Sequence, residues 1–191
     1  MLYLNGYSWQ EFVDQDNPSS VLFFIVSMAS LPALGVPITP FYLYAGVFYP
    51  YPKAFLVCGI SIFLNMVVSY GIAHTSLAGV IRSILKKQNW INRLMDKNNH
   101  LNLTLTLRII PGIPYVLQNY AIAIAGVPFL MYIIWSMAIQ SLYMAAWLYI
   151  GNAGAEASLP KLSVALIVLL LLFVLTRYLC KRMMGSQAIK P

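Results

Sequence analysis

The stretch RIIPGIPYVLQNYAIAIAG, Arg108 to Gly126, places an arginine, two prolines, a glutamine and an asparagine inside one of the most apolar parts of the chain. Each proline lacks a backbone donor and clashes with the turn before it. A helix interrupted at Pro111 and Pro114 therefore frees amides and carbonyls that lipid cannot satisfy, and other protein groups or water must take them up. The arms on either side are too short to cross a hydrocarbon core of about 30 Å at 1.5 Å per residue. The stretch predicts a helical hairpin that turns halfway, and its polar residues then have partners to find.

The rest of the chain requires a membrane around that hairpin. Sixty per cent of its 191 residues are hydrophobic and only 9% are charged, against roughly 25% charged in soluble domains. Mean hydropathy is +0.74. At about 20 residues per span, this length allows one compact helical domain of a few spans and leaves no room for a separate soluble domain.

A second break lies upstream. In LPALGVPITP, residues 31–40, Pro32, Gly35, Pro37 and Pro40 cannot all sit in one regular helix, and the apolar arms at 21–34 and 41–49 are again too short to cross. A hairpin that enters and leaves by one face fits this pattern; a single kinked span is the alternative. The two breaks resemble copies: GVP, seven residues and AGV at 35–47, then GIP, ten residues and AGV at 112–127. A shift of 80 residues also places Ser61 on Ser141, Gly71 on Gly151 and Ala73 on Ala153. The expected fold is an all-α integral membrane protein, an inverted repeat of re-entrant hairpin plus transmembrane helix with an additional C-terminal transmembrane helix.

The expected boundaries are a polar, amphipathic segment at 1–19 and a membrane domain at 20–155. Within that domain lie hairpin 1 at about 21–49, a span at 54–73, a basic connector at 82–100, hairpin 2 at about 103–126 and a span at 129–150. A last helix at 160–180 and a basic tail at 181–191 follow. A hairpin makes no net crossing, so the second unit starts on the opposite face. With the acidic N-terminus outside, both the connector, carrying Arg82, Lys86, Lys87, Arg93 and Lys97, and the C-terminus fall inside, as the positive-inside rule requires.

Few residues are candidates for chemistry. Arg108 is too costly to face lipid. It reads either as an anion site for a lipid phosphate, bound through paired hydrogen bonds, or as an interfacial arginine that snorkels to headgroups or pairs with backbone carbonyls of the hairpin. Asn119 could share a polar path with it, whereas Gln118 reads as a cap for hairpin carbonyls. Pro37, Thr39, Pro40, Gly46, Pro111, Gly112, Pro114 and Gly126 are the expected breaking or path-lining positions. Asn65 and His74 are supporting polar residues, the first a bond between helices and the second an interfacial histidine. Gln140 and Ser141 carry the same structural reading as Asn65, and the tryptophans and tyrosines suit the membrane interfaces.

Several classes are disfavoured. No nucleophile, base and orienting group occur together, and there is no paired-carboxylate, zinc-ligand or phosphate-loop pattern, so neither an enzyme, a metal site nor a cofactor is expected. Cys58 and Cys180 are far apart in apolar or juxtamembrane sequence and read as packing residues. A net charge of +7 comes from basic flanks of hydrophobic segments, which serve orientation and not nucleic acid. Residues 1–19 lack the basic start of a cleaved signal peptide.

Arg108, Pro111, Pro114, Asn119, Tyr120 and Gly126 together resemble the second-hairpin signature of the DedA/VTT-domain superfamily, the SNARE-associated Golgi proteins. Pro37, Pro40, Ala45, Gly46 and Phe48 are similar to its first half, and the likeness spans about residues 20–155. That resemblance implies opposed re-entrant hairpins, lipid transport of the phospholipid-scramblase or polyprenyl-phosphate-carrier kind, contact between Arg108 and lipid phosphate, and hairpin tips along the path. Bacterial DedA members carry acidic residues in the first hairpin, where this chain has Ser27 and Thr39, and a second arginine where it has Pro114. Pro114 and the Asn-Tyr pair place it nearer the VTT-like branch. The expected partners are membrane lipids, phospholipid or polyprenyl phosphate, in a bacterial plasma membrane; a homo-oligomer is compatible with this. The alternatives are a structural or trafficking membrane protein without transport activity, and a carrier of a small solute or ion.

Overall fold

The computed structural model describes residues 17–75, 100–109 and 113–156, with single helical positions at 79, 83, 163, 164, 167, 170, 171, 174 and 178. Pro111, Gly112, the segment before residue 17, nearly all of the basic connector and the tail lie outside the described residues. Within them all regular structure is helical: α1 (Pro18–Ser30), a 3-10 turn (Leu31–Leu34), α2 (Thr39–Phe48), α3 (Tyr51–Ala73), α4 (His100–Ile109), α5 (Tyr115–Ile124) and α6 (Phe129–Ala155). The nine single positions, including those at 163–178 in the expected last span, are helical too.

Proline sets where these helices begin, since a first turn needs no N–H from it. Pro18 and Pro40 fall in the first turns of α1 and α2, Pro50 and Pro52 begin α3, and Pro114 and Pro128 precede α5 and α6. Asn17 caps α1, its side chain accepting from the Ser19 amide at 3.0 Å. Glycine closes two of the breaks. Gly35, at φ 107°, ends the 3-10 turn, and Gly126, at φ 76°, lies between α5 and α6, both in the left-handed region that penalises a Cβ.

Two helices, α3 and α6, are long and apolar enough to cross a membrane. At 1.5 Å per residue, their 23 and 27 residues reach about 35 and 40 Å, beyond a core of about 30 Å. They start three residues earlier and end five residues later, respectively, than expected, because the flanking prolines and polar ends prolong the helices instead of stopping them. They run antiparallel. Tyr51 at the start of α3 donates to the Ala145 carbonyl late in α6 at 3.3 Å, and Tyr70 near the end of α3 meets Phe129 and Tyr132 near the start of α6.

The four short helices pack on this pair crosswise. Helices α1 and α5 lie against α3, whereas α2 and α4 lie against α6. Phe24 in the middle of α1 meets Phe41, Tyr44 and Tyr49, so α1 and α2 lie beside each other around the 3-10 turn. The Tyr120 hydroxyl of α5 donates to the Ala33 carbonyl in that turn, tying the two broken regions together.

Helices α2 and α6 meet most closely at two glycines. A Cβ on Gly46 would collide with the Leu148 carbonyl oxygen and stand 3.1 Å from the Gly151 Cα. Gly46 therefore does not break hairpin 1, as its sequence context suggested; it lies inside α2 and permits a helix crossing. The two AGV copies differ accordingly, one inside a helix and the other carrying the left-handed Gly126. Gly71 has open space where a Cβ would go, while its sequence counterpart Gly151 is tightly packed. Tyr49 also departs from the interfacial reading, being buried against Phe24.

Candidate functional site

Arg108 occupies the last turn of α4 and is 3% exposed, so it does not snorkel to headgroups. Its acceptors are three side chains from two other helices. Nε donates to Ser136 Oγ of α6 at 3.0 Å, one terminal nitrogen to Gln118 Oε1 at 3.2 Å and the other to Asn119 Oδ1 at 2.6 Å. The last is short, as a charge-assisted bond should be. Placing a break just before α5 lets residues only 10 and 11 positions further along turn back to the arginine.

The network continues through α5 into α3. Asn119 Nδ2 donates to Asn65 Oδ1 at 3.2 Å and to Ser69 Oγ at 3.4 Å. Asn65 Nδ2 in turn donates to the Ala29 carbonyl at the end of α1, at 2.8 Å. Gln118 Nε2 donates to the Ile113 carbonyl at 3.0 Å, capping a hairpin carbonyl while its oxygen holds the arginine. One chain of polar side chains thus joins α4, α5, α6, α3 and α1, and its Asn65, Ser69, Asn119 and Ser136 members are fully buried.

The electrostatics around it are unbalanced. Glu156 is the single carboxylate side chain among the described residues; it lies twenty residues beyond Ser136 on α6, roughly 30 Å along the helix axis. Arg108 has no ion pair among the described residues. It is instead flanked by aromatic faces, its guanidinium carbon 5.3 Å from the Tyr115 ring centre and 5.7 Å from that of Tyr132. Cation–π contact of this kind offsets part of the burial penalty but supplies no negative charge. Of the five N–H donors of a guanidinium, three are bonded here; the other two have no hydrogen bond among the described residues.

The expected site residues divide into groups. Arg108, Asn119, Gln118 and Asn65 come together in one network. Pro37, Pro40 and Pro114 are exposed at the ends of helices, Thr39 is half-buried at the start of α2, and Gly126 is exposed between α5 and α6. None of these five touches the network by a side-chain hydrogen bond. His74 is exposed, its Nδ1 2.8 Å from the Tyr70 carbonyl of its own helix. Ser141 bonds the Met137 carbonyl one turn back, a local role. No group of metal-ligating side chains occurs among the described residues.

Sequence reasoning missed Ser69, Ser136, Tyr115 and Tyr132. Ser69 had a legible signal, since it stands four residues after Asn65 and therefore on the same face of a helix. Ser136 is a lone hydroxyl in an apolar span, and only the packing of α4 on α6 identifies it as the partner of Arg108. The tyrosines were hidden by the general preference of that residue for membrane interfaces.

A family model, described as the VTT domain, matches residues 36–153, an interval that holds all of the network except Ala29. No curated protein matches the chain. No solved structure matches it.

Proposed function

From the premise that this chain belongs to the VTT-domain family, the DedA/SNARE-associated Golgi family of membrane proteins, we propose that it is a lipid translocase. Headgroups cross along a polar path between two re-entrant hairpins, α1 with α2 and α4 with α5, while the tails stay in the bilayer. The observation that carries this reading is Arg108: a buried cation, held by neutral side chains, with no carboxylate near it among the described residues. A cation in that setting is suited to an anionic group, and guanidinium matches phosphate oxygens in pairs.

Supporting the opposed hairpins is the crossed packing of the short helices on the antiparallel pair α3 and α6. The first arm of each unit lies on its own long helix and the second arm on the other unit's, the relation a two-fold axis in the membrane plane produces. The basic connector and tail support an orientation with N-terminus outside and C-terminus in the cytoplasm.

The test is reconstitution in liposomes with labelled phospholipid in one preparation and labelled polyprenyl phosphate in another. Wild type moves at least one of them between leaflets, and Arg108→Ala moves neither above the protein-free rate. Folded wild-type protein that moves neither lipid sinks the proposal. The three hydrogen bonds of Arg108 favour a second reading, in which the arginine only fastens α4 to α5 and α6 and the protein shapes bilayer or holds partners; that negative result would select it.

A further inference from the structure

We propose that the Gln118 amide oxygen is an autoinhibitory contact on Arg108: it holds a terminal guanidinium nitrogen that a phosphate group would take, and the anion binds by displacing it. The inference rests on the reading of Arg108 as an anion site and adds what occupies that site at rest.

Consecutive residues of one helix hold the two terminal nitrogens of Arg108. Nη1 donates to Gln118 Oε1 at 3.2 Å and Nη2 to Asn119 Oδ1 at 2.6 Å. One oxygen on each terminal nitrogen is a paired pattern in which guanidinium takes a carboxylate or a phosphate, but here both oxygens are neutral. A buried arginine needs acceptors even without a ligand, because unmet donors on a buried cation are costly. A carboxylate would meet that need permanently. An amide meets it and still yields to a charged oxygen, whose bonds to guanidinium are stronger.

The two amides are not equally replaceable. Asn119 has the shorter bond, is fully buried and is fastened at its other end, where Nδ2 donates to Asn65 and Ser69. Gln118 has the longer bond, keeps 8% of its surface exposed and carries a side chain one methylene longer. Its Nε2 donates to the Ile113 carbonyl at 3.0 Å, next to Pro114, which is exposed. Gln118 therefore links the buried guanidinium to the surface at the break before α5. Turning its side chain away releases Nη1 entirely. Of the five guanidinium donors, Nε stays on Ser136 and one N–H of Nη2 on Asn119. The other three then lie in one plane for an oxyanion, with the arginine still held on two sides.

A competitor and a mere fastening predict opposite signs. Removing the oxygen of a fastening loosens the site and weakens whatever binds there, whereas removing the oxygen of a competitor strengthens anion binding. The experiment uses purified full-length protein in detergent, titrated by calorimetry with inorganic phosphate and with dihexanoyl phosphatidic acid, alongside thermal unfolding. Gln118→Met keeps an unbranched side chain and removes the acceptor. It is expected to melt lower without ligand and to bind the anion roughly tenfold more tightly than wild type. Gln118→Glu puts a permanent anion on the guanidinium and is expected to weaken binding by at least about a hundredfold. Ser136→Ala loosens Arg108 at Nε without freeing a terminal nitrogen and is expected to bring no gain. Whichever ligand binds identifies the occupant, phosphate a free anion and phosphatidic acid alone a lipid headgroup.

Binding that requires Arg108 but is unchanged or weakened in folded Gln118→Met overturns the competitor and leaves Arg108 an anion site. A gain in Ser136→Ala as large as that in Gln118→Met also overturns it, since any loosening of the arginine would then suffice. Should Gln118→Met fail to fold, Gln118→Glu decides, and wild-type affinity in that variant overturns the competitor. Neither ligand binding to folded Gln118→Met, or binding that survives Arg108→Ala, removes the competitor and the anion site together. Tighter binding by Gln118→Met in a protein that moves no lipid retains the competitor and removes the translocase.

Discussion

Replacing the Asn119 amide by a carboxylate separates the electrostatic role of Arg108 from its structural one. In Asn119→Asp, one oxygen still accepts from the guanidinium nitrogen, which stands 2.6 Å from Oδ1 in the native protein. The second position, which donated to Asn65 and Ser69, becomes an oxygen. At a charge separation of about 4 Å and an effective dielectric of about 20, the new ion pair gains roughly 4 kcal/mol. Desolvating the carboxylate costs several kcal/mol, and the lost donations cost about 1 kcal/mol. The terms nearly cancel, so the melting temperature in detergent should move by only a few degrees. An anionic ligand loses much more. The local charge falls from one positive unit to none, and forfeiting about 4 kcal/mol of attraction corresponds to roughly a thousandfold in affinity. Asn119→Leu keeps the branched shape and the positive charge on Arg108 but removes the acceptor and the donor, and should destabilise by about 2–3 kcal/mol. The assay pairs thermal unfolding with lipid movement and phosphate binding in the same preparations. An Asn119→Asp protein that melts normally and binds or moves its anion at the wild-type level would refute the reasoning, since the charge on Arg108 would then be irrelevant to function.

Three further outcomes test the fold. Gly46→Ala should lower stability by about 1–3 kcal/mol through overpacking against Leu148 and Gly151; Gly59→Ala, inside α3 with open space around it, should be neutral or stabilising by about 0.5–1 kcal/mol, and thermal melts that fail to separate the two would disprove the close crossing of α2 and α6. Tyr120→Phe removes the bond from α5 to the Ala33 carbonyl and should cost about 1 kcal/mol in a denaturation midpoint, with no loss if the two broken regions are not in contact. In a Cys180→Ser background, the fully buried Cys58 should resist a maleimide in folded protein and react after unfolding; rapid labelling of the native protein would contradict its packing inside α3.

Much of the helical layout was legible because lipid and proline chemistry restrict the choices sharply. Asn17, Pro18, Pro114 and Pro128 mark helix starts for reasons that operate within a few residues. Arg108 stood out because a charge in an apolar arm demands an explanation. Gly46 was misplaced because an alanine-glycine-valine triplet gives no sign of whether its glycine turns a chain or admits a neighbouring backbone. Gly35 and Gly126 are the glycines with left-handed backbones, and each follows the last residues of a helical segment.

By itself, the sequence determined that the chain is helical, that it belongs in a membrane, where its apolar segments break and which cation among them needs partners. These properties follow from composition, from missing proline donors and from the free energy of a charge in hydrocarbon, all local to a segment. Only the tertiary structure decided that Asn65, Ser69, Asn119 and Ser136 converge around Arg108, through bonds between residues as far as 54 positions apart in the chain. It also decided that the rings of Tyr115 and Tyr132 flank that cation, with centres 5.3 and 5.7 Å from the guanidinium carbon. Partnership of this kind depends on which faces of α3 and α6 receive the short helices, and close packing between distant segments sets those faces.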